Sequence, residues 1–165
     1  MTSSSIRTIV VAAGIISGVT AHASAQTYTL TATLTGAGEN PAVNTGAFGS
    51  ATVTVDMRNR TVTYEVTVYN LPSGVTASHI HAGPIGTVGP VVVPFAPPVP
   101  ASNEFAFSGT VKDTDFVINA GTQNIGIRSA DDMFQAILGN NSYVNVHSAA
   151  NPPGEIRGQL ILQTR

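Results

Sequence analysis

The 165-residue sequence predicts an all-β sandwich or barrel of about seven to nine strands with one short helix. Three observations predict it. Runs in which Thr or another polar residue alternates with Val, Leu or Ala recur along the chain, and a two-residue period marks a strand with one buried face. Clusters of Gly, Pro, Asn and Ser punctuate those runs. Helical spacing of apolar residues is confined to one stretch near residues 133–138.

The first segment reads as an address rather than structure. Arg7 is its only charge, the apolar run Ile9 to Val19 follows, and Ala23-Ser24-Ala25 supplies the small residues a signal peptidase reads. Residues 1–25 are therefore expected to be a signal peptide and 26–165 the domain, with a cut after Ala23 as the alternative. The apolar run is too short to span a bilayer, so no membrane span is expected in the mature chain. Without Arg7 the formal net charge goes from −2 to −3, and aromatics are sparse, which argues against nucleic acid as a partner. With 0 cysteines the domain has no disulfide framework, no thiolate chemistry and no Cys-zinc site.

Tyr28–Leu34 alternates Thr with apolar residues as a half-buried first strand, and a turn-rich segment runs from Gly36 to Gly49. Ala51–Val55 and Thr61–Val68, around Arg58-Asn59-Arg60, form a β-hairpin that Leu71-Pro72-Ser73-Gly74 ends. A strand through Ser78–Gly83 follows, then the loop Gly83–Pro90 and the strand Val91–Phe95. The spaced glycines of that loop lead to a strand, not to a helix N-terminus, which excludes a phosphate-binding reading. Six of the ten prolines lie between Pro84 and Pro100, predicting a rigid, extended crossing with little ladder. Glu104–Val111 is another strand, and Asp113–Ile127 has no clear pattern. Ser129 then caps a helix over Ala130–Leu138 whose apolar face is Met133, Phe134, Ile137 and Leu138, with Gly139 as its stop. The last two strands are Tyr143–Ser148 and Glu155–Leu162. Alternation sets their register: Val144 and Val146 share a face with Ile156, Gly158 and Leu160, which places His147 opposite Glu155.

Chemistry concentrates in two of these strands. His79 and His81 are i, i+2 neighbours on one face, and His147 lies in Tyr143-Val144-Asn145-Val146-His147. All histidines after the leader are thus in two β-type motifs. Neutral imidazoles on one face suit Cu, Zn or Ni, so the trio reads either as a metal site or as a hydrogen-bonded knot with Glu155 and Arg157. Glu155 itself has three readings: it orients His147 from behind the metal, serves as a fourth ligand, or pairs with Arg157. Tyr143 reads mainly as packing. Hydrolytic machinery is absent, with no Gly-x-Ser-x-Gly elbow and no second carboxylate near Glu155 in sequence.

Taken together, Leu34-Thr35-Gly36-Ala37-Gly38-Glu39-Asn40-Pro41, the hairpin, Ala77–Gly83, Gly89–Val93, Tyr143–His147 and Gly154–Leu160 resemble the CHRD domain, first described in chordin and also found in exported bacterial proteins. The resemblance covers about Tyr28 to Leu162. Departures are Asn40-Pro41-Ala42, where the family usually has a double proline, and Ser148, where Thr is common. The resemblance implies a Greek-key, immunoglobulin-like or superoxide-dismutase-like β-sandwich, and little about activity. At the site alone, the His-x-His strand and the later Val-His are also similar to the copper ligands of copper-zinc superoxide dismutases, without their cysteine pair or further histidines. The expected protein is an exported binding or interaction module, secreted or periplasmic, with Cu or Zn on His79, His81 and His147 and a protein partner outside the cytoplasm. A copper-dependent redox enzyme of the dismutase kind and a structural β-domain without metal are the alternatives.

Overall fold

The computed structural model describes residues 26–164, and the leader reading falls on residues outside them. The strands are β1 (Thr27–Thr35), β2 (Phe48–Asp56), β3 (Thr61–Leu71), β4 (Val75–Ala82), β5 (Val91–Pro94), β6 (Asn103–Lys112), β7 (Ser142–Ser148), β8 (Ile156–Gln159) and β9 (Ile161–Leu162). Two helices, α1 (Ala120–Asn124) and α2 (Ala130–Leu138), lie between β6 and β7. The strands form one antiparallel sheet in the order β5-β4-β7-β8-β1-β2-β3-β6, with β9 pairing β1 beside that path. The architecture is all-β, as the alternation predicts.

The sheet has one dry face because its strands alternate. Leu30, Ala32 and Leu34 of β1, Val53 and Val55 of β2, and Val62, Tyr64, Val66 and Val68 of β3 are buried, while Thr29, Thr31, Thr33 and Thr52 face water. Register keeps the buried set together, with Leu30 opposite Val53 and Val53 opposite Tyr64. The turn between β2 and β3 closes on Asp56, whose carboxylate accepts from the Asn59 N–H and side-chain amide. Each such buried Val or Leu contributes roughly 1.5–3 kcal/mol, and with no disulfide among the described residues this apolar core carries the fold.

The proline-rich crossing bends the sheet back on itself. After β5, the Phe95 ring stacks on Tyr64 of β3 with centroids 3.8 Å apart, and the Ala96 N–H donates to the Tyr64 hydroxyl at 2.9 Å. α2 is capped as predicted, the Asp132 N–H donating to the Ser129 hydroxyl at 3.2 Å, and it buries Met133, Phe134 and Ile137. The stretch without a legible pattern holds a 3-10 turn, Asp113–Asp115, and the five-residue α1, capped by Asn119.

One expectation needs correcting. Val146 stands opposite Ile156, Asn145 opposite Arg157 and Val144 opposite Gly158, as the alternation requires. The ladder stops there, and Glu155 does not pair with His147. Its N–H bonds the Val146 carbonyl at 2.9 Å, one residue out of step with the ladder, so the chain leaves the register at Glu155, just before β8, and its side chain is re-aimed. The single last strand is also divided, β8 and β9 being separated at Leu160.

Candidate metal centre

β4 and β7 are neighbours, second and third from the β5 end of the path, and their register brings the three histidines together. Ala77 faces His147, His79 faces Asn145 and His81 faces Tyr143. His147 is therefore diagonal to His79 on the same face, and His81 is two residues further along β4. Ring centroids are 5.1 Å apart for His79–His147, 5.6 Å for His79–His81 and 6.0 Å for His81–His147. One ring nitrogen from each lies within 4.8 Å of the others, and His79 Nδ1 is 3.3 Å from His147 Nε2.

Backbone carbonyls orient two of the rings. His81 Nδ1 is 2.9 Å from the Gly89 carbonyl and His147 Nδ1 is 2.9 Å from the Pro152 carbonyl. A carbonyl only accepts, so each Nδ1 carries the proton and each Nε2 keeps its lone pair. His81 Nε2 is buried without a hydrogen-bond partner among the described residues. The loop glycine makes this contact possible: a Cβ on Gly89 would stand 1.6 Å from the Ala82 carbonyl oxygen, so only glycine brings that backbone so close to β4.

The surroundings favour the neutral form of His79 and His81. Burial first, then repulsion from His147 and His81, pushes His79 down to about 4. Burial also lowers His81, with His147 and Arg157 adding to the shift against the opposing Gly89 hydrogen bond. Tyr143 stacks on His81 at 5.0 Å and 9°, and its hydroxyl accepts from the Gly89 N–H at 3.1 Å. The Arg157 guanidinium lies 3.4 Å from the Tyr143 ring centre, which places a fixed cation behind the His81 ring.

Glu155 is elsewhere. Its carboxylate accepts from the Thr45 hydroxyl at 2.7 Å and from Ser148, a residue on the opposite face of β7 from His147. Burial works to raise its pKa, but those hydrogen bonds outweigh it and the carboxyl stays below its ordinary range. No ion pair joins Glu155 to Arg157 among the described residues. The His–Glu–Arg network envisaged from the sequence is thus replaced by two separate arrangements.

In a neighbouring polar cluster Asn145 and Arg157 share a face as the alternation predicts, and Glu39 joins them in place of Glu155. Glu39, from the turn after β1, meets Asn145 and Arg157 around Gly154, where an added Cβ would lie 2.6 Å from the Asn145 amide nitrogen and 2.7 Å from Glu39 Oε1. Glu39 Oε1, Asn145 Oδ1 and Arg157 Nη2 are buried without partners among the described residues. Burial raises Glu39 to about 7 despite Arg157 nearby. The only signal in sequence is its place in Gly-Ala-Gly-Glu-Asn-Pro, a turn whose contact with β8 depends on the whole fold. Asn40 ties that turn to the histidine loop, its amide donating to the Gly86 carbonyl at 2.6 Å.

The residues fit a transition metal. Two nitrogens each 2.0–2.1 Å from an ion at a tetrahedral angle stand about 3.4 Å apart, close to the 3.3 Å between His79 Nδ1 and His147 Nε2. The donors are neutral imidazoles, the set that Cu and Zn accept. The family model described as CHRD domain matches residues 30–160, which include every residue of this centre. No curated protein and no solved structure matches the chain.

Proposed function

Given that the chain belongs to the CHRD domain family, we propose that it is an exported binding module that holds one copper or zinc ion on His79, His81 and His147. The observation that carries this reading is the convergence of three imidazoles, with the Nε2 lone pairs of His81 and His147 left free for an ion. Two of them are held by carbonyls on Nδ1, and the buried His81 Nε2 has no protein partner to satisfy it. A purely structural cluster would leave that nitrogen at a cost of about 1–3 kcal/mol. Copper is favoured over zinc at equal availability by the general order of divalent affinities. Export is supported by the leader pattern in residues 1–25, and the partner is accordingly a protein outside the cytoplasm.

A second reading, a copper redox enzyme of the dismutase kind, is favoured by one observation. With Glu155 turned to Thr45 and Ser148, the protein supplies three ligands, and sites with three protein ligands keep a position open for substrate. Copper would supply the redox chemistry; the chain's own residues bind and orient it.

The test is metal analysis and calorimetric titration with Cu and Zn on protein purified without a His tag. About one ion per chain in wild type and none in the His79→Ala/His81→Ala/His147→Ala variant is expected. No binding at micromolar metal would sink the metal reading. Bound copper that turns superoxide over would select the enzyme over the module.

A further inference from the structure

The two ends of the sheet are finished differently. β5 is only four residues long, ends in Pro94, meets β4 through an irregular register, and its free side is met by the Val117 N–H, which donates to the Val92 carbonyl at 2.9 Å. These are the usual means of blunting an edge. β6 shares only the irregular register, confined to its first residues, where the pairing with β3 shifts between Val68 and Leu71. It runs ten residues, Asn103–Lys112, without proline, and among the described residues pairs with β3 alone. Its core-facing side chains are also incompletely covered. Val62, Val66 and Val68 of β3 are at most 1 % exposed, whereas their β6 partners Val111, Phe107 and Phe105 remain half-buried.

We infer that β6 is a homodimerisation edge, pairing antiparallel with β6 of a second copy around a two-fold axis at Ser108. The occupant follows from charge and shape. β6 carries two charges, Glu104 and Lys112, at equal distances from Ser108. In a pairing centred there, Glu104 of each copy stands opposite Lys112 of the other, giving two opposite-charge pairs. The same register sets Phe105 opposite Val111 and Phe107 opposite Gly109 on the core-facing side, so an aromatic always meets a smaller residue. On the solvent side Ala106 meets Thr110. No one-residue shift of the register preserves either match, because a slip by one turns each side chain to the wrong face. The result is a continuous sheet across two domains, and it covers the half-exposed phenylalanines.

The inference does not depend on the metal reading, and its test uses metal-free protein. Sedimentation equilibrium of the purified chain from 1 to 200 µM should show a monomer–dimer equilibrium with a dissociation constant of roughly micromolar order, as expected of a small interface. Glu104→Lys alone and Lys112→Glu alone should each weaken it about tenfold, since each sets like charges opposite one another twice per dimer. The double variant Glu104→Lys/Lys112→Glu should restore it to within about threefold. Both positions are exposed, and circular dichroism of the variants verifies the fold. Amide exchange over 104–112 should slow as concentration rises. A wild type that stays monomeric at 200 µM would overturn the inference and leave the edge to a different protein. A dimer indifferent to the single reversals, or not restored by the double one, would overturn this pairing.

Discussion

At the scale of single residues, the decisive groups are those whose proton is fixed by a neighbour. The Gly89 and Pro152 carbonyls set the tautomers of His81 and His147, and burial moves the pKa values of His79 and Glu39 in opposite directions, each towards the neutral form. His79 titrates near 4 in the folded chain, below its ordinary 6.5, so its contribution to stability is full above pH 6.5 and lost as the pH falls towards 4. Glu39 titrates near 7, above 4.5, so its contribution is full below pH 4.5 and lost as the pH rises towards 7. Glu39→Gln removes only the second. On metal-free protein, the stability of this variant relative to wild type should rise between pH 4.5 and 7 by about 1 kcal/mol, solvent screening at a half-buried site reducing the full linkage. Urea unfolding across that range measures it, and a flat difference would show that Glu39 titrates normally. Glu155→Ala separates support from ligation. It leaves the Ser148 and Thr45 hydroxyls without their acceptor and should cost about 2 kcal/mol, while copper affinity stays within about threefold. A tenfold loss of affinity would return Glu155 to the ion.

At the scale of elements, the loop between β4 and β5 is the working part of the site. Gly89 packs its backbone against Ala82 and offers its carbonyl to His81. Gly89→Ala must push the loop outward and release His81, so metal affinity should fall by about tenfold or more with the far-ultraviolet spectrum unchanged. Unaltered affinity would mean that the carbonyl does not orient the ring. The same loop shows where sequence stops being sufficient. Strands β1 to β3 are legible because one face meets water, and Thr against Val or Leu records it. β7 is harder: Ser142 to Val146 is buried throughout, since loops cover its second face. Its alternation still placed Tyr143, Asn145 and His147 on one side, which is why the trio was visible. Glu155 was misplaced because one out-of-step hydrogen bond just before β8 re-aims the whole side chain. Glu39 was missed because its partners lie more than 100 positions away in sequence, and α1 because five residues with Thr122 as the sole buried one give no period to read.

At the scale of the molecule, the question is whether the proposed ion would be part of the fold or a guest in it. Small domains without a core unfold when their metal is removed. Here Leu30, Leu34, Val53, Val55, Ile80, Val144, Val146 and Ile156 are each 0 % exposed and belong to one apolar cluster. The core is therefore sufficient, and an ion bound at the proposed site would be a guest. Its effect on stability then follows mass action alone: at free metal 100-fold above the dissociation constant, unfolding becomes harder by about 2.7 kcal/mol, a rise in Tm of about 10 °C for a domain of this size. Chelation should reverse that rise and leave the β spectrum intact. The histidines lie on β4 and β7, two strands already joined by their ladder, so a bound ion would close no new loop and nothing beyond mass action is expected. Calorimetry with and without chelator distinguishes the cases: loss of β structure on chelation would make the metal an architectural element, and an unmoved Tm at saturating copper would mean that the folded chain has no preference for the ion.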